Sequence, residues 1–412
     1  MNVISFLKQR NFISKISNEE KILKALKKGK GVYIGFDPSF KSLHLGNYIM
    51  INILNIFNKF NVKTFALIGG ATGRVGDPSG KKNERQLLDL NLIENNIVSI
   101  KKQLKKLTNS EIVNNYDFYK NLTFIDFLRD IGKKFTLNYL LEKEIIKTRL
   151  ESGISFAEVS YNLIQGNDFL KLYENNNVGI QIGGSDQWGN ITTGLELIRK
   201  KHGDEALACG VTINLLLKND GSKFGKSDKG AIYLDHQITS VFEMYQFFIN
   251  QDDQELKKLF MFFTILEIKQ IDEILQEHNK NKSLRYGQKK LAEIVITNIH
   301  GYEAYKQCLK IANALFNDEF NQLTLDELDL CFKQFISFTI EKEIKLYDFL
   351  IKNKIIESKR VFKELIANNS LFVNQEKIEN YEFLLTIKNS YFNKYTIVKK
   401  GKKNYYIIIW KK

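Results

Sequence analysis

The stretch Val32-Tyr33-Ile34-Gly35-Phe36-Asp37-Pro38-Ser39-Phe40-Lys41-Ser42-Leu43-His44-Leu45-Gly46-Asn47 decides how this chain folds. Val32 to Phe36 is apolar, β-branched and aromatic, and Asp37-Pro38 stops it, which predicts a short buried strand. A polar turn follows. From His44 to Phe60 apolar residues recur at helical spacing, with Tyr48, Ile49, Ile51, Ile53, Leu54 and Phe57 on the pattern. This order sets a helix N-terminus, with its unpaired N–H groups and positive dipole end, just beyond a strand. Such a place attracts phosphate. Gly46 lacks the Cβ that would block a nucleotide, and His44 can donate to a phosphate oxygen without a permanent charge.

Beyond this stretch, the chain of 412 residues is long enough for two or three domains with ample core. Its formal net charge of +14 favours a polyanionic partner. The charge is uneven: residues 343–412 hold 15 Lys/Arg against 7 Asp/Glu, so +8 of the +14 sits there. A general enrichment in Lys and Asn accounts for some of the charge, but not for its concentration at one end. Cys209, Cys308 and Cys331 are far apart and match no metal spacing, so they read as buried or inert thiols in a reducing compartment. No metal site built by the protein and no membrane partner are expected. No apolar run approaches membrane-spanning length, and Lys8 and Arg10 are not followed by the apolar core of a secretory signal. The two prolines, Pro38 and Pro78, each follow an Asp in a glycine-bearing turn, where they would fix turn geometry beside a site.

In chain order, residues 1–29 read as two amphipathic helices. Thr64 to Ile68 reads as a second strand, running into the glycine-rich loop 69–80 with Lys81, Lys82 and Arg85 just beyond it. Glycines followed by cations suit an arm that closes on a triphosphate; a surface loop with solvated lysines is the blander alternative. Residues 84–109 read as a helix, 112–116 as a strand, and 124–135 and 138–150 as helices. On the helix expected over 155–173, Tyr161, Gln165 and Asp168 are spaced i, i+4, i+7 and share one face. A phenol, an amide and a carboxylate make poor core; they suit a polar pocket wall or a solvated face. Val178 to Ile182 is a strand entering the turn Gly183-Gly184-Ser185-Asp186, a repeat of strand, glycine turn and helix that points to a doubly wound sheet. A helix over 188–201, a strand over 211–217 and the loop 219–227 follow. Residues 239–316 read as helix after helix. From 343 onward two short helices precede a strand-rich end, with Tyr395 to Lys399 and Tyr405 to Trp410 as strands.

Five ordered strings carry a family resemblance. Asp37-Pro38 followed by His44-Leu-Gly-Asn47 resembles the HIGH-type signature of class I aminoacyl-tRNA synthetases, and Lys223-Phe-Gly-Lys-Ser227 resembles their KMSKS-type loop. Gly35-Phe-Asp-Pro38, Gly69-Gly-Ala-Thr-Gly73 with Gly76-Asp-Pro-Ser-Gly80, and Gly183-Gly-Ser-Asp-Gln-Trp-Gly-Asn190 are similar to the bacterial-type tyrosyl-tRNA synthetase family.

The resemblance implies an α/β fold. A Rossmann-like, doubly wound parallel sheet forms a catalytic domain over 1–230, with an inserted dimer-interface region. A helical, anticodon-side domain would span 231–325, a linker 326–342, and a small α+β RNA-binding module of αL type 343–412. It implies activation of L-tyrosine by ATP with Mg2+, then transfer of the tyrosyl group to tRNA(Tyr), in a cytoplasmic homodimer. By position, His44, Lys81, Arg85, Lys223 and Lys226 would meet the phosphates. Asp37, Ser39, His44, Gly46, Asn47, Gly184, Asp186 and the loop Lys223, Phe224, Gly225, Lys226, Ser227 would bind ATP. Tyr33 and Asp168 would pair the substrate phenol; Asp77, Tyr161 and Gln165 would hold its ammonium, with Gln187 by its carbonyl. Lys359, Arg360 and Lys363 are the RNA-phosphate candidates.

Two positions depart from the pattern. Ser39 stands where the family usually has Thr, and Asn47 where it has a second His; both keep hydrogen-bonding capacity. Two other readings remain open: the tryptophanyl sister enzyme, against which Tyr33 with Asp168 speaks, and a synthetase-derived RNA-binding or splicing protein without activation chemistry, against which His44, Lys223 and Lys226 speak.

Overall fold

The computed structural model describes residues 1–79, 87–150, 153–214, 216, 226–227, 230–333, 335–401 and 404–411. The chain forms two compact units, one of residues 1–239 and 248–299, the other of residues 240–247 and 300–412.

The first unit is built on a six-stranded sheet of β1 (Ile13–Ile16), β2 (Gly31–Phe36), β3 (Thr64–Ile68), β4 (Glu111–Asn114), β5 (Val178–Gly184) and β6 (Cys209–Ile213), in the order β1-β6-β5-β2-β3-β4. All pairs are parallel except β1 with β6. The chain winds outward from β2 to β3 and β4, then returns to the other side of β2 with β5 and β6. The strand order therefore reverses between β2 and β5, where the carboxyl ends open a crevice. β3 is buried throughout and β2 is buried except at Gly35, as expected of strands covered on both faces.

Helices α1 (Val3–Gln9) and α2 (Glu19–Lys27) precede the central strand, with β1 between them. The expectation of two helices over residues 1–29 missed this strand. Ile13 to Ile16 is too short to show a period; what makes it a strand is pairing with Val211, Thr212 and Ile213, far along the chain. Helix α3 (Leu45–Lys59) buries Leu45, Tyr48, Ile49, Ile51, Ile53, Leu54, Ile56 and Phe57 against the sheet. It ends where Asn61 turns left-handed at φ 58°. The N–H groups of Asn61 and Val62 then donate to the carbonyls of Asn58 and Phe57, at 2.9 and 3.0 Å, which satisfies the last turn.

Arg10, at the end of α1, is fully buried. Its guanidinium donates to the carbonyls of Phe260, Met261, Thr264 and Leu266, at the C-terminal end of the helix Leu256–Phe263. Those carbonyls carry the negative pole of the helix, so the cation is matched although burial lowers its pKa to about 10.

Other elements differ in extent from their expected spans. The helix expected from 84 is α5, after the short α4 (Thr72–Val75), and covers Leu90–Leu107. The helix expected over 138–150 is two short helices, Leu137–Leu141 and Glu144–Lys147. The strand expected over 211–217 is Cys209–Ile213; it stops where the Asn214 N–H bonds the Phe12 carbonyl at 2.7 Å.

In the second unit a five-stranded sheet runs Glu376–Lys377, Leu371–Val373, Tyr395–Lys400, Asn404–Trp410, Ile336–Ile340, antiparallel except for the last pair. The stretch 326–342, expected as a linker, thus lies in structured chain: most of the helix Leu325–Phe332 and the strand Ile336–Ile340. Two carboxylates join helical chain to sheet. Asp329 accepts from the Tyr395 hydroxyl at 2.6 Å and the Lys394 ammonium at 2.9 Å. Asp318 accepts from the Tyr405 hydroxyl at 2.6 Å and pairs with Lys399.

Candidate active site

The crevice at the strand-order reversal is a cavity of about 570 Å3. The end of β2 and the turn after it supply Tyr33, Gly35, Asp37 and Ser39; the start of α3 supplies His44, Gly46 and Asn47. The loop after β3 supplies Gly69, Thr72 and Asp77. The helix Phe156–Asn175 supplies Tyr161, Gln165 and Asp168, and β5 with its turn supplies Gln181, Gly184, Asp186 and Gln187. Every site residue expected from the sequence in these segments lines this one cavity. Lys81, Lys82, Arg85, Lys223, Phe224 and Gly225 lie outside the described residues. Lys226–Ser227 is described as a two-residue strand paired with Gly230–Ala231.

At the helix end, His44 is the N-cap of α3. Its Nδ1 accepts from the N–H groups of Gly46 at 3.0 Å and Asn47 at 3.4 Å, while Asn47 Oδ1 accepts from the His44 N–H at 3.1 Å. An accepting Nδ1 leaves the hydrogen on Nε2, so the ring is a donor at its far edge. A Cβ on Gly46 would stand 2.8 Å from the His44 ring, so this glycine makes room for the histidine cap as well as facing the cavity. The sequence reading gave Asn47 only a ligand role; its capping role follows from three-residue spacing and was open to inference.

At the closed end the cavity is acidic. Asp37 accepts from Thr72 Oγ1 at 2.8 Å and from the Tyr161 hydroxyl at 3.0 Å. A Cβ on Gly69 would sit 2.0 Å from Asp37 Oδ1, so only glycine lets that loop pass the carboxylate. Asp77 accepts from the Ser79 N–H at 2.8 Å and from Gln187 Nε2 at 2.7 Å. Gln187 Oε1 accepts from Gln165 Nε2 at 3.3 Å and Asn190 Nδ2 at 3.0 Å. Asp168, fully buried, accepts from Asn115 Nδ2 at 2.9 Å and from the Tyr119 hydroxyl at 2.7 Å. Burial pushes its pKa up to about 7; the hydrogen bonds from Asn115 and Tyr119 pull it back, and the Asp37 charge adds to the rise. The Tyr33 hydroxyl, buried nearby, has no hydrogen-bond partner among the described residues. Burial first, and then the Asp168 charge, raise its pKa well above the usual phenol value.

Asn115, Tyr119 and Thr72 were missed from sequence. Asn115 ties the buried Asp168 to the half-buried Asp37, donating to Asp168 and, at 3.2 Å, to Thr72 Oγ1, which itself donates to Asp37. Among the described lining residues none is Lys or Arg. Three carboxylates around Tyr161 therefore make this wall suited to a cationic group.

Among the described residues no group of three or more His, Cys, Asp or Glu stands together to hold a metal ion, and no helix is long and apolar enough to cross a membrane. In the second unit, Lys359, Arg360 and Lys363 are exposed on the helix Lys359–Ala367.

The family described as tRNA synthetases class I (W and Y) matches residues 26–317, and the tyrosine–tRNA ligase SYY-like C-terminal domain matches residues 327–408. The tyrosine–tRNA ligase of Ureaplasma urealyticum is 53% identical over 412 residues, covering 100% of this chain and 99% of the relative. That of Listeria welshimeri is 43% identical over 419 residues and covers 100% of both chains. Among solved structures, a C-terminally truncated Aspergillus nidulans mitochondrial tyrosyl-tRNA synthetase is 29% identical with a TM-score of 0.68, covering 76% of this chain and 94% of that one.

Proposed function

We infer what this chain does from the family to which it belongs, the class I tRNA synthetases of the tryptophan and tyrosine group. It is a tyrosine–tRNA ligase. It activates L-tyrosine with ATP to tyrosyl-adenylate and pyrophosphate, then transfers the tyrosyl group to the 3′ end of tRNA(Tyr).

In our reading the closed end of the cavity takes the amino acid. The observation that carries this is the buried Tyr33 hydroxyl, without a partner among the described residues, beside Asp168. A substrate phenol would donate to Asp168 and accept from Tyr33. Phenylalanine would leave both unsatisfied in a dry site, a penalty far larger than that of a missing methylene. The ammonium goes to the acidic wall. Tyr161 gives its proton to Asp37 and Gln165 gives an amide hydrogen to Gln187, so the Tyr161 oxygen, the Gln165 carbonyl and Asp77 are left as acceptors for three N–H bonds.

ATP lies toward α3 and the β5 turn. His44 Nε2 and the helix N-terminus meet the phosphates, while Asp37, Gly184 and Asp186 face the adenosine, a carboxylate being the natural acceptor for ribose hydroxyls. Mg2+ enters as part of the substrate, held by phosphate oxygens. The tyrosine carboxylate attacks the α-phosphorus, and the bond to pyrophosphate breaks. No side chain acts as nucleophile. Alignment can supply roughly 7–11 kcal/mol of the barrier, and donors aimed at the pentacoordinate phosphate supply more. Lys81, Arg85, Lys223 and Lys226 are proposed to clamp the departing pyrophosphate. We assign tRNA phosphate contacts to Lys359, Arg360 and Lys363, and the protein to the cytoplasm, where its RNA is used.

A homodimer is proposed as well. Residues 124–156 expose Phe124, Ile125, Leu128, Leu137, Leu150 and Phe156, an unusual density of large apolar side chains on a free surface. Light scattering should give twice the chain mass; the single-chain mass would refute it.

The function is tested by tyrosine-dependent exchange of labelled pyrophosphate into ATP, without tRNA. Exchange with tyrosine and not with phenylalanine or tryptophan is the expected result. Exchange with tryptophan alone would refute the pocket assignment.

A further inference from the structure

One hydroxyl in the buried cluster is not used by the recognition just described. Tyr119 ends the four-residue helix α6 (Tyr116–Tyr119), which follows β4. Its ring is partly exposed, but its hydroxyl points inward. The oxygen lies 2.7 Å from Asp168 Oδ1 and 2.8 Å from the Ile164 carbonyl, and it accepts from Asn167 Nδ2 at 3.1 Å. One proton faces two acceptors, and an ionised carboxylate is the stronger. Asn115 holds the other carboxylate oxygen at 2.9 Å. A carboxylate offers about four lone-pair positions, so each oxygen keeps capacity for one more donor.

We propose that Tyr119 is a positioning residue for amino-acid specificity: seated by Asn167, its hydroxyl holds Asp168 as an oriented anion whose remaining acceptor capacity only a phenolic substrate satisfies. This rests on the reading of Tyr33 and Asp168 as the pair that recognises the substrate hydroxyl. The groups facing Asp168 are Tyr33 from β2, Asp37 from the turn after it, Tyr161 on the same helix, and Tyr119 with Asn115 from the end of β4. Its two direct donors are neutral. Burial already brings this carboxyl to about pH 7, and the Tyr119 hydrogen bond opposes that rise. Without the hydroxyl, Asp168 would keep its proton to higher pH, and the substrate would lose an anionic acceptor in the neutral range.

The test is tyrosine-dependent pyrophosphate exchange with the full chain and MgATP, from about pH 6 to about pH 9. Tyr119→Phe, which removes one oxygen, should raise the KM for tyrosine roughly ten-fold near neutrality. The kcat should change little, because the phenol contact is the same in ground and transition states. The gap should narrow as pH rises. Asn167→Ala should act in the same direction with smaller size, and it carries the test if the Phe variant does not fold. An equal KM rise at every pH would mean mere packing, and an unchanged KM would mean no role; either overturns the proposal. Asp168→Asn separates the two ideas. If it leaves tyrosine binding and selectivity intact, the pocket reading fails, whatever Tyr119 does.

Discussion

Asp168 in the first unit and Asp329 in the second each accept a short hydrogen bond from a tyrosine, at 2.7 and 2.6 Å. Their surroundings differ. Asp329 is partly exposed and also holds the Lys394 ammonium. Asp168 is fully buried, and its donors are an amide and a phenol. A carboxylate given a cation is neutralised, and it fastens a helix to a sheet. One given only neutral donors in a dry place keeps its charge at a cost and gains from a further donor. The first arrangement is a joint; the second fits the receptor role proposed for Asp168.

The largest test of that contrast is Asp168→Ala. It should cut discrimination between tyrosine and phenylalanine by about 3 kcal/mol or more, read as the ratio of kcat/KM values in pyrophosphate exchange. Asp329→Ala should leave that ratio alone, and a ratio that changed only in the Asp329 variant would reverse the assignment.

Next in size is a gain in stability. The folded Asp168 carboxyl sits at about 7 against an ordinary 3.8. Between those values the folded state holds a proton that the unfolded state has released, so stability falls as pH rises and levels off above about 7. Asp168→Asn removes that cost. It should be more stable than the parent above neutrality by about 1–2 kcal/mol, the difference fading toward pH 4, in denaturant melts without substrate. Tyr395→Phe, on the joint, should lose about 1 kcal/mol and leave exchange unchanged. The smallest effect is at the second unit's surface. Lys363→Ala should weaken tRNA binding only a few-fold but reduce the salt slope by about one. An unaltered slope would remove Lys363 from the contact set.

What the sequence made legible was local. Val32 to Asn47 carries its strand, turn and helix in its own pattern, and Tyr161, Gln165 and Asp168 announce a shared face by spacing alone. What stayed hidden depended on distant partners. Asn115 and Tyr119 come from the end of an edge strand and a single helical turn, with no period to read; their roles exist only because Asp168 folds over them. β1 has the same cause: four residues become a strand because residues 211–213 present an edge. The strand Ile336–Ile340 does alternate, Ile336, Phe338 and Ile340 against Ser337 and Thr339, but over five residues only; what makes it a strand is its pairing with Tyr406 to Trp410, some 70 residues on.

The first turn of α3 carries a constraint on how this protein can change. Asn47 closes the helix cap with its carbonyl oxygen and lines the cavity with the same side chain. If ATP binds there as proposed, helix stability and nucleotide affinity are inherited through one amide group. Drift at position 47 cannot tune one trait and spare the other unless the new residue keeps an acceptor for the His44 N–H. Variation that adjusts affinity alone has to arise elsewhere in the site.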